Sequence, residues 1–411
     1  MMPRLLSIAL FGVAWSAQAM TLETPGLLPA QIARPLLEQY PSVVAARAGL
    51  EVARQEADIL NGSPYEWSAK LSSQRRTLQE GSRYQEWSAG IERPLRLPGK
   101  AEADRNIGKA TMEEAQARYG KALNEAARAL LRSWLDWLAA ERGYELAGAN
   151  RQAAQENLTV VEKRLRAGDA SKLDVSLAHA ELAEQQRVEN DAKTQAAVAW
   201  GYLHARFPGI GPELKAWPTP VPLKENAAFW RERILSESND LKTAQAQLQK
   251  AQAEAERARA DKLPDPTVGI YTASEVGGRE RISGFSVSMP IPSGQRGRRA
   301  ARALHAVEVM RQQMESKKRE LEGEIANAIA GTEGAYLSQQ LAASGALAMR
   351  DNARLMQRAY ALGEADLQAL LLARRQATAA VQNALAASVR ALKNYYALLI
   401  DAHLIWNLDQ E

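Results

Sequence analysis

Pro94-Leu95-Arg96-Leu97-Pro98-Gly99 closes one sequence pattern and opens another. Upstream, Tyr65, Trp67, Ala69 and Leu71 alternate with Glu66, Ser68, Lys70 and Ser72. A polar loop at Gln79-Glu80-Gly81-Ser82 follows, and then Trp87, Ala89 and Ile91 alternate with Glu86, Ser88 and Gly90. A period of two puts apolar side chains on one face of a strand, so this segment reads as a β-hairpin. Downstream the period lengthens. Met112, Ala115, Tyr119, Ala122, Ala126, Leu130, Trp134 and Trp137 recur at steps of three and four, the mark of one apolar helix face. The six residues are a strand-to-helix junction, with Pro94 and Gly99 as its landmarks.

The same order returns later in the chain. Thr267 to Ala273 forms a strand pattern, Glu275-Val276-Gly277-Gly278 a turn, and Phe285, Val287 and Met289 alternate with Gly284, Ser286 and Ser288. Pro290-Ile291-Pro292-Ser293-Gly294 is the second junction, with Pro290 and Gly294 as landmarks. A helical run follows whose stripe is Leu304, Val307, Met314, Leu321, Ile325, Ala328 and Ala335. Gly99 to Gly168 spans 69 residues (168 − 99), and Gly294 to Gly363 also spans 69 (363 − 294). A continuous helix of that length runs roughly 100 Å.

Gly168 and Gly363 suit left-handed helix stops, after which the chain turns back on itself. The expected organisation is a signal segment at 1–19 and a first repeat at 20–206, with a hairpin at about 64–93, a long helix at 99–167 and a return helix at 171–205. A proline-rich linker at 207–226 leads to a second repeat at 227–411, with a hairpin at about 266–289, a long helix at 295–362 and a return helix at 366–404. Each return helix is shorter than its partner, so helices at about Gln31 to Leu60 and Ala227 to Leu263 are expected to cover the remaining length.

Composition agrees with long, thin helical layers. The 411 residues are 46% hydrophobic but only 6% aromatic, and much of the apolar content is alanine, the best helix former. Met1 to Arg4, the apolar run Leu5 to Trp15 and the small-x-small Ala17-Gln18-Ala19 read as an export signal cleaved after Ala19. The run is too short for a membrane-spanning helix, which needs about 20 residues. The chain has no cysteine, which excludes disulfides, a thiolate nucleophile, cysteine metal ligands and a lipidated N-terminal cysteine. With 52 basic and 48 acidic residues the formal charge is +4, a mixed surface that gives no support for nucleic-acid binding.

Four strands per chain, flanked only by helices, leave open edges, and open edges cannot face lipid. A membrane barrel therefore needs several copies: two give eight strands, three give twelve. The residues expected to face the membrane are Tyr65, Trp67, Leu71, Trp87, Ile91, Phe285, Val287 and Met289.

The two junctions, the tip turns Ala167-Gly168-Asp169-Ala170-Ser171-Lys172-Leu173-Asp174 and Leu362-Gly363-Glu364-Ala365-Asp366-Leu367, and the duplicated order resemble the TolC family of outer-membrane efflux proteins. The resemblance covers nearly all of the chain after the signal segment. It implies a mainly α fold with membrane β: long helical hairpins forming a periplasmic α-barrel, and a homotrimer completing a 12-stranded β-barrel in outer-membrane lipid. It also implies a passive exit duct for metal cations or drugs in a tripartite efflux system, served by a periplasmic adaptor (membrane fusion protein) and an inner-membrane pump of the RND type. The adaptor would dock at the tips, on Gly168, Asp169, Ser171, Leu173, Asp174, Gly363, Glu364, Asp366 and Leu367. Size and short hairpins are most similar to the heavy-metal (cobalt, zinc, cadmium) efflux subgroup. Two roles fit the tip acids Asp174, Glu364 and Asp366: a charged ring narrowing the pore, or first-turn acids favouring a helix N-terminus.

Catalytic chemistry is not expected. His179, His204, His305 and His403 are scattered without ligand spacing, so no metal site and no cofactor are expected. Gly294-Gln295-Arg296-Gly297-Arg298-Arg299 lacks the Lys-Ser/Thr ending of a phosphate loop and reads as a turn plus solvated basic residues. The alternatives are a soluble periplasmic coiled-coil scaffold or adaptor, and a secreted pore-forming toxin.

Overall fold

Proline and glycine set the ends of the longest elements. The computed structural model describes residues 26–211, 217–406 and 408. The export signal and Ala19 lie outside the described residues, as do linker residues 212–216. Helices α1 (Ala30–Glu38) and α2 (Pro41–Asn61) lead to strands β1 (Ser68–Thr77) and β2 (Arg83–Pro94). Helix α3 (Pro98–Ala167) and its return α4 (Lys172–Arg206) complete the first half. The second half has α5 (Ala227–Glu237), α6 (Asn239–Ala260), β3 (Thr267–Glu275), β4 (Glu280–Ser288), α7 (Gly294–Leu362) and α8 (Leu367–Asp401).

α3 has 70 residues, about 105 Å at 1.5 Å per residue. Pro98 sits at its first position, where a missing N–H costs nothing. Gly168 at φ 87° ends it: its N–H donates to Leu165 O at 3.0 Å and that of Asp169 to Arg164 O at 2.8 Å. Gly363 at φ 79° ends α7 with the same pair of bonds, to Tyr360 O at 3.2 Å and from Glu364 N to Ala359 O at 2.9 Å. This double closure supplies donors to carbonyls that would otherwise be orphaned, and it needs a left-handed residue.

Each covering segment, expected as one helix, is two. Pro41 opens α2 and pushes Tyr40 out of helical geometry, to ψ 132°. Ser238 breaks the second segment by accepting from Leu241 N at 3.2 Å, which caps α6. Near the sheet, α2 and α6 both pack on α3, and α6 also packs on α7. The helices there lie in the order α2, α3, α6, α7. Toward the tips α4 lies on α3, and α8 lies on both α7 and α3.

The sheet is a meander, β1-β2-β3-β4, antiparallel throughout, with β1 and β4 as open edges. Its strands are 9 to 12 residues long. The main core lies midway along the helices, where Trp134, Leu130, Leu131 and Trp137 of α3 meet Phe207, Trp230, Leu392 and Ile400. Trp134 Nε1 donates to Gly26 O at 2.9 Å and Trp406 Nε1 to Leu28 O at 2.8 Å, so both indoles are buried without an orphaned donor. A second core near the tips joins Leu158 and Val161 to Leu182, Tyr360, Leu367 and Leu370. Leu304, expected on the buried stripe of α7, is 65% exposed, while Val307, Leu321 and Ile325 are buried.

Candidate channel face, junction and helix tips

Strand register sorts the side chains onto two faces. One face carries Ala69 and Leu71 beside Ile91 and Ala89, then Ile270 beside Ile91, and Val287 and Phe285 beside Val268 and Ile270. Trp87 belongs to this face, opposite Ser73. Leu71 is 83% exposed and Phe285 80%. Its charged members are all arginines: Arg75, Arg83 and Arg281 toward the loops, and Arg93 at the opposite end.

The other face is polar and internally paired. Lys70 meets Glu92 at 2.7 Å, Ser72 shares a hydrogen bond with Ser88 at 2.8 Å, and Gln74 donates to Glu86 at 2.9 Å. Arg76 bridges Glu86 at 3.1 Å and Glu275 at 3.3 Å, tying three strands together. Tyr271 lies along this face over Gly284, where an added Cβ would stand 2.9 Å from its hydroxyl.

Of the residues expected to face lipid, Leu71, Trp87, Ile91, Phe285 and Val287 lie on the apolar face, within strands. Trp67 and Met289 stand exposed just outside strand ends, with Arg93 5.6 Å above the Trp67 ring. Tyr65 is a correction. It precedes β1, and its hydroxyl donates to Asp265 Oδ2 at 2.5 Å, because a buried carboxylate beside it captures the phenol.

That carboxylate belongs to a network at the strand-to-helix junction. Lys100 of α3, 1% exposed, reaches Asp265 at 3.0 Å and Asp261 at 3.1 Å. Leu97 N donates to Asp265 Oδ1 at 3.1 Å. Arg257 of α6 pairs with Asp104 at 2.7 Å and also with Asp261. Arg96 completes it, donating to Asp104 at 3.1 Å and to the final carbonyls of α2, Leu60 O at 2.7 Å and Asn61 O at 2.9 Å. Three cations and three carboxylates balance, so no buried charge is left over. Burial pushes Asp265 up, but hydrogen bonds from Tyr65, Lys100 and the Leu97 N–H outweigh it and hold the carboxyl below its ordinary value. The bond to Asp265 pushes the Tyr65 phenol up to about 12. Gly99 and Gly294, the junction landmarks, have open space around them and no positive φ. The junction is held by this network, which no local sequence signal announced.

At the tips two of the acids cap helices. Ser171 Oγ accepts from Asp174 N at 3.1 Å while Asp174 accepts from Ser171 N at 2.9 Å, a reciprocal cap. Asp366 caps α8 by accepting from Ala369 N at 2.7 Å. Asp169 and Glu364 each donate a backbone N–H to their helix stop, and both side chains are exposed. Leu173 is exposed, but Leu367 is buried in the second core. The two tips are tied to each other: the Arg164 guanidinium lies 4.8 Å over the Tyr360 ring and donates to Tyr360 O at 3.4 Å. Deeper in, Arg374 of α8 donates to Ala153 O of α3 at 3.3 Å, and Arg375 pairs with Glu181 of α4 at 2.6 Å.

Among the described residues no group of three or more His, Asp or Glu side chains is placed to hold a metal ion, and no helix is long and apolar enough to cross a membrane.

A two-faced sheet set on two very long helical hairpins is the architecture of outer-membrane channel subunits. The fold matches that of the outer-membrane channel OprN with a TM-score of 0.75 at 18% identity, covering 92% of this chain and 90% of that one. It also matches the CmeC outer membrane channel of Campylobacter jejuni, with a TM-score of 0.73 at 15% identity over 100% of this chain and 95% of that one. The chain belongs to the outer membrane efflux protein family, which it matches over residues 33–205 and 230–399. Among curated relatives, the cobalt-zinc-cadmium resistance protein CzcC of Cupriavidus metallidurans is 24% identical over 278 residues, 65% of this chain and 65% of that one.

Proposed function

We propose that the chain is the outer-membrane channel subunit of a tripartite efflux system, a passive duct that exports metal cations. The observation that carries this reading is the sheet. Its strands, 9 to 12 residues each, match the length of about 9–11 residues that a tilted strand needs to cross a bilayer. One face is apolar and exposed, the other polar and paired, and both edges are open. Open edges are not tolerated in lipid, so copies must close a barrel. Eight strands from two copies would enclose a space about filled by side chains, whereas twelve from three leave a lumen.

The helical flanks support the same ring of copies. α7 leaves Leu337, Leu341, Leu347 and Leu355 exposed, and α4 on the opposite flank leaves Val198 and Tyr202 exposed. The tips, Gly168 to Asp174 and Gly363 to Leu367, dock a periplasmic adaptor linked to an RND-type pump. Metal cations as cargo rest on the likeness to CzcC and on the polar sheet face, where Glu86, Glu92, Glu275 and Glu280 outnumber Lys70 and Arg76. The test is fractionation and detergent extraction: the protein is expected in outer membranes as a trimer, and deleting it should lower tolerance to cobalt, zinc or cadmium. Recovery as a soluble periplasmic monomer would end this reading, and a trimer without any change in metal tolerance would end the assignment of cargo.

A further inference from the structure

We infer that neighbouring copies are joined just below the sheet by an ion pair between Asp58 of one copy and Arg299 of the next, the charge-reversed counterpart of the Arg257–Asp104 pair inside each chain. The inference rests on the reading of the chain as one member of a closed ring. In the row α2, α3, α6, α7 the inner seam is α3 against α6. The outer members are α2 and α7, so closing the ring sets α7 of one copy against α2 of the next. That new seam is built from the repeat equivalents of α3 and α6, with the roles of the halves exchanged.

The repeat offsets say which residues meet. α3 and α7 correspond at 195, from the junction glycines (294 − 99) to the tip glycines (363 − 168). α2 and α6 correspond at 199, because each ends seven residues before its strand (68 − 61 and 267 − 260), and both pairs of ends differ by 199. Along the inner seam Arg257 meets Asp104 at 2.7 Å and Gln247 donates to Glu114 at 3.0 Å. Applying the offsets, Asp104 becomes Arg299 (104 + 195) and Arg257 becomes Asp58 (257 − 199). Glu114 becomes Val309 (114 + 195) and Gln247 becomes Ala48 (247 − 199), so the second polar contact becomes an apolar one.

Independent features of the two flanks fit that seam. Arg298, Arg299 and Arg302 are exposed and meet no carboxylate among the described residues, and the stretch from Gly294 to His305 holds four arginines and no acid. Glu51, Glu56 and Asp58 of α2 are likewise exposed and meet no cation among the described residues. Unpaired charge of opposite sign therefore stands on the two flanks at the same level beside the sheet. Apolar side chains accompany it: Val44, Val52 and Ile59 are exposed on α2, as is Val309 on α7. A helix bearing three exposed β-branched apolar residues beside free carboxylates fits a partner that is both apolar and basic, which the start of α7 supplies.

Because the chain has no cysteine, cross-linking has no background. Two differently tagged variants, Asp58→Cys and Arg299→Cys, would be co-expressed, extracted in detergent and treated with a short bis-maleimide. A heterodimer carrying both tags on a denaturing gel is the expected result, absent when either variant is expressed alone. In parallel, Asp58→Arg and Arg299→Asp should each lower the recovered trimer several-fold, and the doubly reversed chain should restore it to within about twofold of the starting protein. A trimer that forms without the mixed cross-link overturns the pairing and leaves the ring standing. So does an Arg299→Asp protein that keeps its trimer but loses bound lipid phosphate, which would make anionic lipid the occupant of the arginines. A starting protein that is monomeric in detergent overturns the ring and the pairing with it.

Discussion

The two strand-to-helix junctions share one backbone plan and use charge in opposite ways. At the first, Lys100 and Asp104 are buried, and Arg257, Asp261 and Asp265 of the other half neutralise them. At the second, the equivalent positions are Gln295 and Arg299, both exposed. The difference follows from where each junction lies. The first faces a seam closed within the chain, so its charges are sealed from water and must balance. The second lies on a flank of the chain, where unpaired charge costs little in water. A duplicated unit can thus keep its shape while one copy is tuned for folding and the other for meeting a neighbour.

The sharpest way to break this contrast is to place methionine at the matching position of each junction. Lys100→Met leaves Asp265 without its cation and should lower stability by about 3–5 kcal/mol, the range for orphaning a buried charge. Gln295→Met, at the matching exposed site, should stay within about 0.5 kcal/mol. Denaturant midpoints of the detergent-solubilised protein measure both, and equal effects would erase the distinction between the junctions.

The sheets of the two halves are expected to behave alike, which bounds the contrast. Leu71→Arg in the first hairpin and Phe285→Arg in the second, both in strand interiors on the apolar face, should each cost about 2–4 kcal/mol. Ser72→Arg, one residue from Leu71 but on the polar face, should be nearly neutral. The share of protein reaching the outer membrane as heat-resistant trimer reads this out; a tolerated Phe285→Arg would remove that strand from lipid. The tips should differ least. Gly168→Val and Gly363→Val meet open space, so the cost is backbone strain alone, about 1–2 kcal/mol in each. If adaptor docking depends on these turns, metal tolerance should fall in cells even where the folded protein accumulates normally.

Much of this plan is legible in the sequence. Period-two runs marked β2, β4 and the first half of β1, and the stretch Thr267 to Ala273 marked β3. The tip glycines marked both helix stops, since few other residues take a positive φ there. The breaks at Tyr40 and Ser238 were missed, because the apolar periodicity runs on through each of them while a local proline or serine ends the helix. Tyr65 continues the alternation of the strand that follows it, and only Asp265, distant in sequence, turns it aside. The junction network was invisible for the same reason: Arg257 and Asp104 are 153 residues apart, and nothing near either one names its partner. The tip acids gave a mixed result. Capping bonds occupy Asp174 in the first turn of α4 and Asp366 at the N-cap of α8, but exposed Glu364 carries no such local signature.

The long reach of the junction network also orders events in time. Tyr65 is bonded to a residue 200 positions later in the chain, and Leu97 to one 168 positions later, so these are contacts of high sequence separation. Such contacts form slowly, because a large loop must close before they stabilise anything. As the chain emerges from its N-terminal end, the first hairpin and the start of its long helix wait without their lock until Asp265 arrives. The rate of maturation should therefore be set by delivery of the second half, and a chain halted before Asp265 would hold an exposed, unlocked hairpin prone to capture by chaperones or proteases.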